Sequence, residues 1–277
     1  LACRLAGKRY IIRTGGDFLY ESHVERTGEK ALFKDFYETK RPLFSMKERV
    51  VFRATRAVLK GAAAVIFSTE WQKDIFEKVY GLDRKKSFIV ENFCGERLPP
   101  LPAGGMPENR AFVAGTRVLK WKNIDALRES FADARVAIAR RGLPDIELDT
   151  SKAVYEGFVE KVRCSYAVIL ASLGDISPNM IFDAIRAGTP FILTKETGIA
   201  GRVAGCALFV DPLSNRDIAE KIVWLSDPAN RAAQAAKVRA FGWVHSWEDI
   251  GREIIDIWKK AGKPKRIGKG GSDNSHA

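Results

Sequence analysis

Residues 166–199 read Y-A-V-I-L-A-S-L-G-D-I-S-P-N-M-I-F-D-A-I-R-A-G-T-P-F-I-L-T-K-E-T-G-I, and they hold the side chains best placed for chemistry. The apolar run over 166–172 has the length of a buried strand. A short polar loop follows, then a helical pattern over 177–187, with Ser177 as N-cap and Pro178 at the first helical position. Gly188 ends that helix, and an apolar run over 189–194 follows. A helix that starts where a parallel strand ends offers free N–H groups and the positive end of its dipole, which together favour a phosphate. Asp175 stands just ahead of this helix and Asp183 lies within it, eight positions on. Carboxylates so placed can accept hydrogen bonds from vicinal hydroxyls, as the acidic residue of a dinucleotide site does from ribose. A loop acid at Asp175 and a solvent-facing helix residue at Asp183 are the plainer alternatives.

Charge supplies a second signal. The 277 residues carry 46 Lys and Arg against 34 Asp and Glu, a formal net charge of +12. Residues 1–110 hold 21 basic and 14 acidic side chains, whereas 111–261 hold 21 and 19, so the first part is the basic one. Within it Arg49, Arg53, Arg56 and Lys60 are spaced 4, 3 and 4 apart and share one face of a helix over 46–60. Such a face can meet anionic lipid headgroups or a phosphorylated ligand, or can simply be solvated. Nucleic acid is disfavoured as a partner, because no zinc-finger spacing, RNP-like aromatic motif or recognition helix accompanies the charge.

The elements that must position these residues alternate. Strands are expected over 9–14, 62–67, 87–90, 110–115, 146–148, 154–157, 166–172, 189–194 and 207–210. Helices are expected over 30–40, 46–60, 70–80, 124–140, 177–187, 215–226, 230–240 and 247–260. Thr69 and Gly81 serve as caps of the fourth-residue-periodic stretch between them. Alternation in both halves predicts an α/β chain with two doubly wound parallel sheets. Pro99, Pro100, Pro102, Gly104, Gly105 and Pro107 mark 94–110 as a linker. The expected division is 1–93, the linker 94–110, a second unit over 111–245, a closing helix over 246–261 and a disordered basic tail over 262–277. With 46% hydrophobic and 29% charged residues, the chain is neither disordered, collagen-like nor a coiled-coil rod. No apolar run reaches the ~18 residues needed to span a bilayer. Cys3, Cys94, Cys164 and Cys206 form no metal-binding pair and read as reduced thiols.

The carboxylates spaced D-x7-D, the run A-I-R-A-G-T-P-F-I after them, and F-V-A-G-T-R-V-L-K-W-K-N upstream resemble the retaining glycosyltransferases of the GT-B fold, family 4 in particular. F-V-D-P, V-H-S-W-E, and in the first half A-A-A-V-I-F-S-T-E-W-Q-K-D-I-F and I-V-E-N-F-C, resemble the same family. The resemblance implies two Rossmann-like domains with a cleft between them, the first domain incomplete at its N-terminus. It implies sugar transfer from a nucleotide-diphosphate sugar, a co-substrate, to a glycan or lipid-linked acceptor, with retention and without metal or cofactor.

Carried over residue by residue, Arg117 and Lys122 would neutralise the leaving diphosphate, and Asp175 would contact donor-sugar hydroxyls. Asp183 would hold the ribose, Ser177, Pro178 and Asn179 the phosphate, and Gly157 and Phe158 would lie near the base. Gly15, Gly16 and Asp17 fall on the acceptor side, where Asp17 also reads as a turn residue. The implied location is the cytoplasm, with peripheral attachment to the inner face of the cell membrane through Arg49, Arg53, Arg56 and Lys60. Two departures stand out. Both signature acids are Asp where the family has Glu, and no His follows the first strand. A non-catalytic nucleotide-sugar or anionic-ligand binding protein and a GT-B epimerase are the rival readings.

Overall fold

Short apolar runs become the central strands, and amphipathic stretches between them become the covering helices. A computed structural model describes residue 3 and residues 6–99, 110–115 and 118–261 of the chain. β1 (Ile11–Arg13), β2 (Ala64–Phe67) and β3 (Ser87–Ile89) form one parallel sheet in that order. Register pairs Ile12 with Val65 and Ile66 with Phe88. Helices α1 (Phe18–Thr27), α2 (Phe33–Lys40) and α3 (Met46–Gly61) connect β1 to β2, and α4 (Glu70–Tyr80) connects β2 to β3.

The second sheet is also parallel. β4 (Ala111–Val113), β5 (Glu147–Asp149), β6 (Ala167–Leu170), β7 (Phe191–Thr194) and β8 (Leu208–Val210) run in the order 5-4-6-7-8. Its helices are α5 (Ile124–Arg140), α6 (Tyr155–Arg163), α7 (Asn179–Ala187), α8 (Ala200–Val203), α9 (Asn215–Ser226) and α10 (Pro228–Ala240). β6 and β7 are buried along their whole length, as strands covered on both faces must be. The last helix, α11 (Trp247–Lys260), returns to the first sheet, where Ile250 and Ile257 pack against Ala64, Ile66 and Val90. The α/β class and the two parallel sheets are those the alternation predicts. Most of the proline- and glycine-rich linker and all of the tail lie outside the described residues.

Three of the differences from the sequence reading bear on the cleft. Residues 154–157 are not a strand: Val154 precedes α6 and the rest form its first turn. Phe158 and Val162, four apart, are its buried residues, a helical period that a four-residue window cannot reveal. Helix α1 was not expected. Asp17 caps it by accepting from Tyr20 N at 2.9 Å, and Leu19, Tyr20 and Val24 are its buried residues. Finally, α7 begins at Asn179, with Pro178 extended at the N-cap position and no side-chain cap. The chain is drawn across to the first unit at this point. Ile176 is buried in that unit's core, and Ser177 O accepts from Asn92 Nδ2 at 3.0 Å, so the helix starts two residues late.

This crossing ties the two sheets together. Leu173, Ile176 and Trp121 belong to the same buried cluster as Tyr20, Phe33 and Phe36 of the first unit. Phe33 N donates to Leu173 O at 3.2 Å, and Lys34 Nζ reaches Glu196 Oε1 at 2.6 Å. Two glycines make the approach possible. A Cβ on Gly174 would lie 2.4 Å from Phe33 Cβ, and one on Gly198 would lie 2.3 Å from Thr69 Oγ1 and 2.5 Å from Ile176 O. Gly174→Ala and Gly198→Ala should therefore each cost about 1–3 kcal/mol by overpacking. Gly201→Ala, with nothing within 4 Å, serves as the neutral control. Urea denaturation of the three variants checks this.

Candidate functional site

A cleft of about 610 Å³ opens between the two sheets. The second unit contributes the end of β6, the loop after it and the start of α7, because a parallel sheet delivers its loops to the carboxyl ends of its strands. Asp175, Ser177, Pro178, Asn179 and Asp183 all line the cleft, joined by Lys122 from the loop after β4. The first unit contributes Arg13, Gly15, Glu21, Asn92 and Phe93, and α11 contributes Trp247.

Asp175 is 8% exposed, and its Oδ2 accepts from Lys122 Nζ at 2.5 Å. Its backbone is pinned to the next loop, with Asp175 N donating to Glu196 O at 2.9 Å and Gly198 N donating to Asp175 O at 3.3 Å. The ammonium thus enters the cleft beside the start of α7. Ser177 Oγ, at that same helix start, is buried and has no hydrogen-bond partner among the described residues. Asn92 Nδ2 donates to Asn179 Oδ1 at 2.9 Å as well as to Ser177 O, so the first unit braces the helix terminus directly.

Asp183 lies one helical turn deeper, 4% exposed, with its Oδ1 3.2 Å from Arg186 Nη1. Burial pushes its pKa up, opposed by the charge and hydrogen bond of Arg186 and by the hydrogen bond from Tyr155. Tyr155 and Phe158, three apart on α6, line the cleft beside it. Gly157 is not among the lining residues, so of the two positions expected near a base the structure brings only Phe158 into the cleft. Arg117 lies outside the described residues.

The acceptor-side positions separate. Gly15 lines the cleft, but Asp17 is 4% exposed and fully engaged as the α1 cap and as acceptor from Tyr37 OH at 2.7 Å. Burial pushes its pKa up despite those donors. Gly16 serves by its lack of a side chain, since a Cβ there would lie 2.5 Å from Glu21 Oε1. Arg49, Arg53, Arg56 and Lys60 are exposed on α3 and line no part of the cleft. Two of them also serve the fold, with Arg49 Nε donating to Phe44 O and Arg56 Nε donating to Tyr80 O. Beside them Leu43, Met46 and Val50 are 76%, 74% and 58% exposed.

Sequence reasoning passed over Arg13, Glu21, Asn92 and the Phe93–Trp247 stack, whose rings lie 4.9 Å apart and nearly parallel. Tyr155 carried a usable signal, its i, i+3 spacing to Phe158. The others come from separate elements and had none. Among the described residues, no three His, Cys, Asp or Glu side chains converge to hold a metal ion, and no helix is long and apolar enough to cross a membrane.

No family model and no curated protein sequence matches the chain. Solved structures do. Anabaena HepE, determined with UDP and glucose, superposes with a TM-score of 0.65 at 15% identity, covering 94% of this chain and 74% of its own. Sucrose-phosphate synthase from Thermosynechococcus elongatus gives 0.64 at 13% identity, with 94% and 70% covered. WaaG, a glycosyltransferase involved in lipopolysaccharide biosynthesis, gives 0.60 at 16% identity, with 89% and 74% covered. The likeness is one of fold, two parallel α/β units facing each other across a cleft, and it matches the GT-B expectation.

Arg186 is the charge that holds Asp183 in its buried position. Arg186→Leu should lower stability at neutral pH by about 1–3 kcal/mol by stranding a buried carboxylate. Because burial already holds the Asp183 pKa above its unfolded value, protonation favours the folded chain. The deficit should therefore shrink as pH falls into the carboxylate range, which denaturation at a series of pH values would read.

Proposed function

We propose that the chain is a glycosyltransferase that moves a sugar from a nucleotide-diphosphate sugar to an acceptor hydroxyl. The observation that carries this reading is the convergence at one end of the cleft of Lys122, Asp175 and the N-terminus of α7. An ammonium, a carboxylate and free helix N–H groups are what a diphosphate bonded to a polyhydroxylated ring requires. The fold likeness to HepE, solved with UDP-glucose as well as with UDP, supports a nucleotide sugar as donor.

In this reading the diphosphate lies at the start of α7, where Lys122, Ser177 Oγ and backbone N–H groups meet it, and Arg117 adds a second positive charge. Asp175 releases Lys122 and accepts from donor-sugar hydroxyls. Asp183 accepts from the ribose, with Tyr155 and Phe158 beside the base. The bond from the anomeric carbon to the phosphate oxygen breaks while the acceptor oxygen bonds on the same face. The acceptor proton passes to the departing phosphate, so retention needs no enzyme nucleophile. Positive charge fixed around the leaving group stabilises the transition state in place of a metal.

The basic face of α3 supports a peripheral role at an anionic membrane, at which a lipid-linked acceptor would be presented. The exposed Leu43, Met46 and Val50 supply apolar contact beside the arginines. Reversing Arg49, Arg53 and Arg56 to Glu should abolish co-sedimentation with anionic vesicles while leaving nucleotide binding unchanged. Undiminished sedimentation would remove the membrane role.

Thermal stabilisation by UDP, GDP, ADP and CMP tests the donor site. Saturation at 100 times the dissociation constant should stabilise by about 2.7 kcal/mol. One nucleotide should act selectively, and Lys122→Ala should lose most of the effect. A flat response to all four would overturn the reading. Binding without transfer or hydrolysis would favour a non-catalytic nucleotide-sugar binding protein.

A further inference from the structure

Away from the cleft, the arginines of α3 line a cavity of their own. It measures about 230 Å³, and its lining residues are Arg41, Phe44, Arg49, Phe52, Arg53 and Arg56. Arg41 comes from the 3-10 turn Arg41–Leu43 that follows α2, whereas the other three arginines come from one face of α3. The cavity is smaller than the roughly 300–1,000 Å³ of pockets that take drug-sized molecules, and it suits a single small polar group.

Its floor is fixed by the core of the first unit. Phe44 and Phe52 are buried there, and Phe52 stacks on Tyr80 with ring centroids 5.0 Å apart. Three of the guanidinium groups are held over this floor. Arg49 Nε donates to Phe44 O at 2.9 Å, and Arg56 Nε donates to Tyr80 O at 3.0 Å, at the carboxyl end of α4. Both arginines spend only Nε on the fold, leaving their terminal nitrogens to a ligand. Arg41 lies over the Phe52 ring, 4.5 Å from its centroid. Arg53 makes no hydrogen bond or ion pair among the described residues. No carboxylate lines the cavity, and Glu48, next to Arg49 in the chain, is taken by Ser45 and Arg26. Four positive charges around one small space repel one another, and an anion seated among them relieves that repulsion.

We propose that this cavity is a binding site for a phosphate monoester group. Such a group carries a charge of about −1.5 to −2 at pH 7 and three acceptor oxygens, and guanidinium forks pair with it bidentately. A carboxylate or a phosphodiester brings a single charge and two free oxygens, and so satisfies fewer of the four arginines. The monoester can belong to a lipid headgroup, with the exposed Leu43, Met46 and Val50 beside it to meet the bilayer, or to a soluble phosphorylated compound. The site needs no part of the donor reading. It also differs from a diffuse attraction of α3 to an anionic membrane, because it requires Arg41, which lies off that helix, and spares Lys60, which lies on the helix but outside the cavity.

The test compares the wild-type chain with Arg41→Gln, Arg53→Gln and Lys60→Gln, each shown to be folded by its melting temperature. The first two remove a charge from the cavity, and the third removes the same charge outside it. Calorimetry measures binding of glycerol 3-phosphate. Sedimentation measures binding to phosphatidylcholine vesicles that carry phosphatidic acid, a monoester, or phosphatidylglycerol, a diester, at matched surface potential. The wild type should bind glycerol 3-phosphate saturably, prefer phosphatidic acid over phosphatidylglycerol, or do both. Arg41→Gln and Arg53→Gln should each weaken that binding at least about tenfold, the scale of a lost charged hydrogen bond, while Lys60→Gln retains it. Preference for phosphatidic acid without binding of the soluble ester assigns a lipid source. Saturable binding of the soluble ester without vesicle binding assigns a soluble source, and removes the membrane role of α3 while keeping the site. Equal binding to both lipids, weakened alike in all three variants and with no affinity for the soluble ester, would overturn the site and leave the diffuse membrane role standing. A chain that binds neither the ester nor either vesicle would overturn both.

Discussion

The loop that leaves β6 cannot stay within its own unit. Leu173 and Ile176 are buried in the core of the first unit, among Tyr20, Phe33 and Phe36, so the chain between them is stretched across the junction. Burying an aliphatic side chain of this size is worth roughly 1.5–3 kcal/mol. Two such anchors fix the loop more firmly than a surface turn could be fixed. Asp175 lies between the anchors, and α7 starts three residues after the second. The cleft's carboxylate and its free helix terminus are therefore placed by hydrophobic packing that neither of them takes part in. Gly174 and Gly198 are the local cost of that packing, being positions where no side chain fits.

The charges in the cleft are paired with one another in a way that a ligand can redistribute. Lys122 meets Asp175, and Arg186 meets Asp183, each pair sparing a desolvated carboxylate the penalty of standing alone. The two pairs differ in what they leave available. Lys122 comes from a short turn of 3-10 geometry after β4, on another element from Asp175, and an anion at the helix terminus can compete for it. Arg186 shares α7 with Asp183 and also donates to Glu96 O, so it stays where the helix puts it. An anionic ligand and a polyhydroxylated one can each take over one member of the first pair.

The first unit contributes more than a passive wall. Its α1 docks on the turn that carries Lys122, its Asn92 braces the start of α7, and its α2 sends Lys34 to Glu196. The Glu196 carboxylate holds the Lys34 ammonium pKa above its usual value, as a close ion pair should. The α11 helix adds a strap in the other direction, crossing back to the first sheet with Ile250 and Ile257. The basic side chains of α3, Arg49, Arg53, Arg56 and Lys60, by contrast, are exposed and sit away from the cleft.

What the amino-acid sequence settled alone was local and periodic. The α/β class, the parallel sheets and the bounds of α4, α5, α9 and α11 followed from apolar runs and caps, because hydrophobic period and capping chemistry act within a few residues. The D-x7-D spacing put Asp175 just ahead of one helix and Asp183 within it, and the structure lines one cleft with both. What escaped was decided between elements. The start of α7 moved because Ile176 and Ser177 are held by the other unit. Residues 155–157 became helix because Phe158 and Val162 face a core. Glu21 replaced Asp17 at the cleft because Asp17 had a buried cap to satisfy. A side chain's type limits what it can do, but which partner claims it first depends on packing between segments far apart in the chain, and only the tertiary structure fixes that.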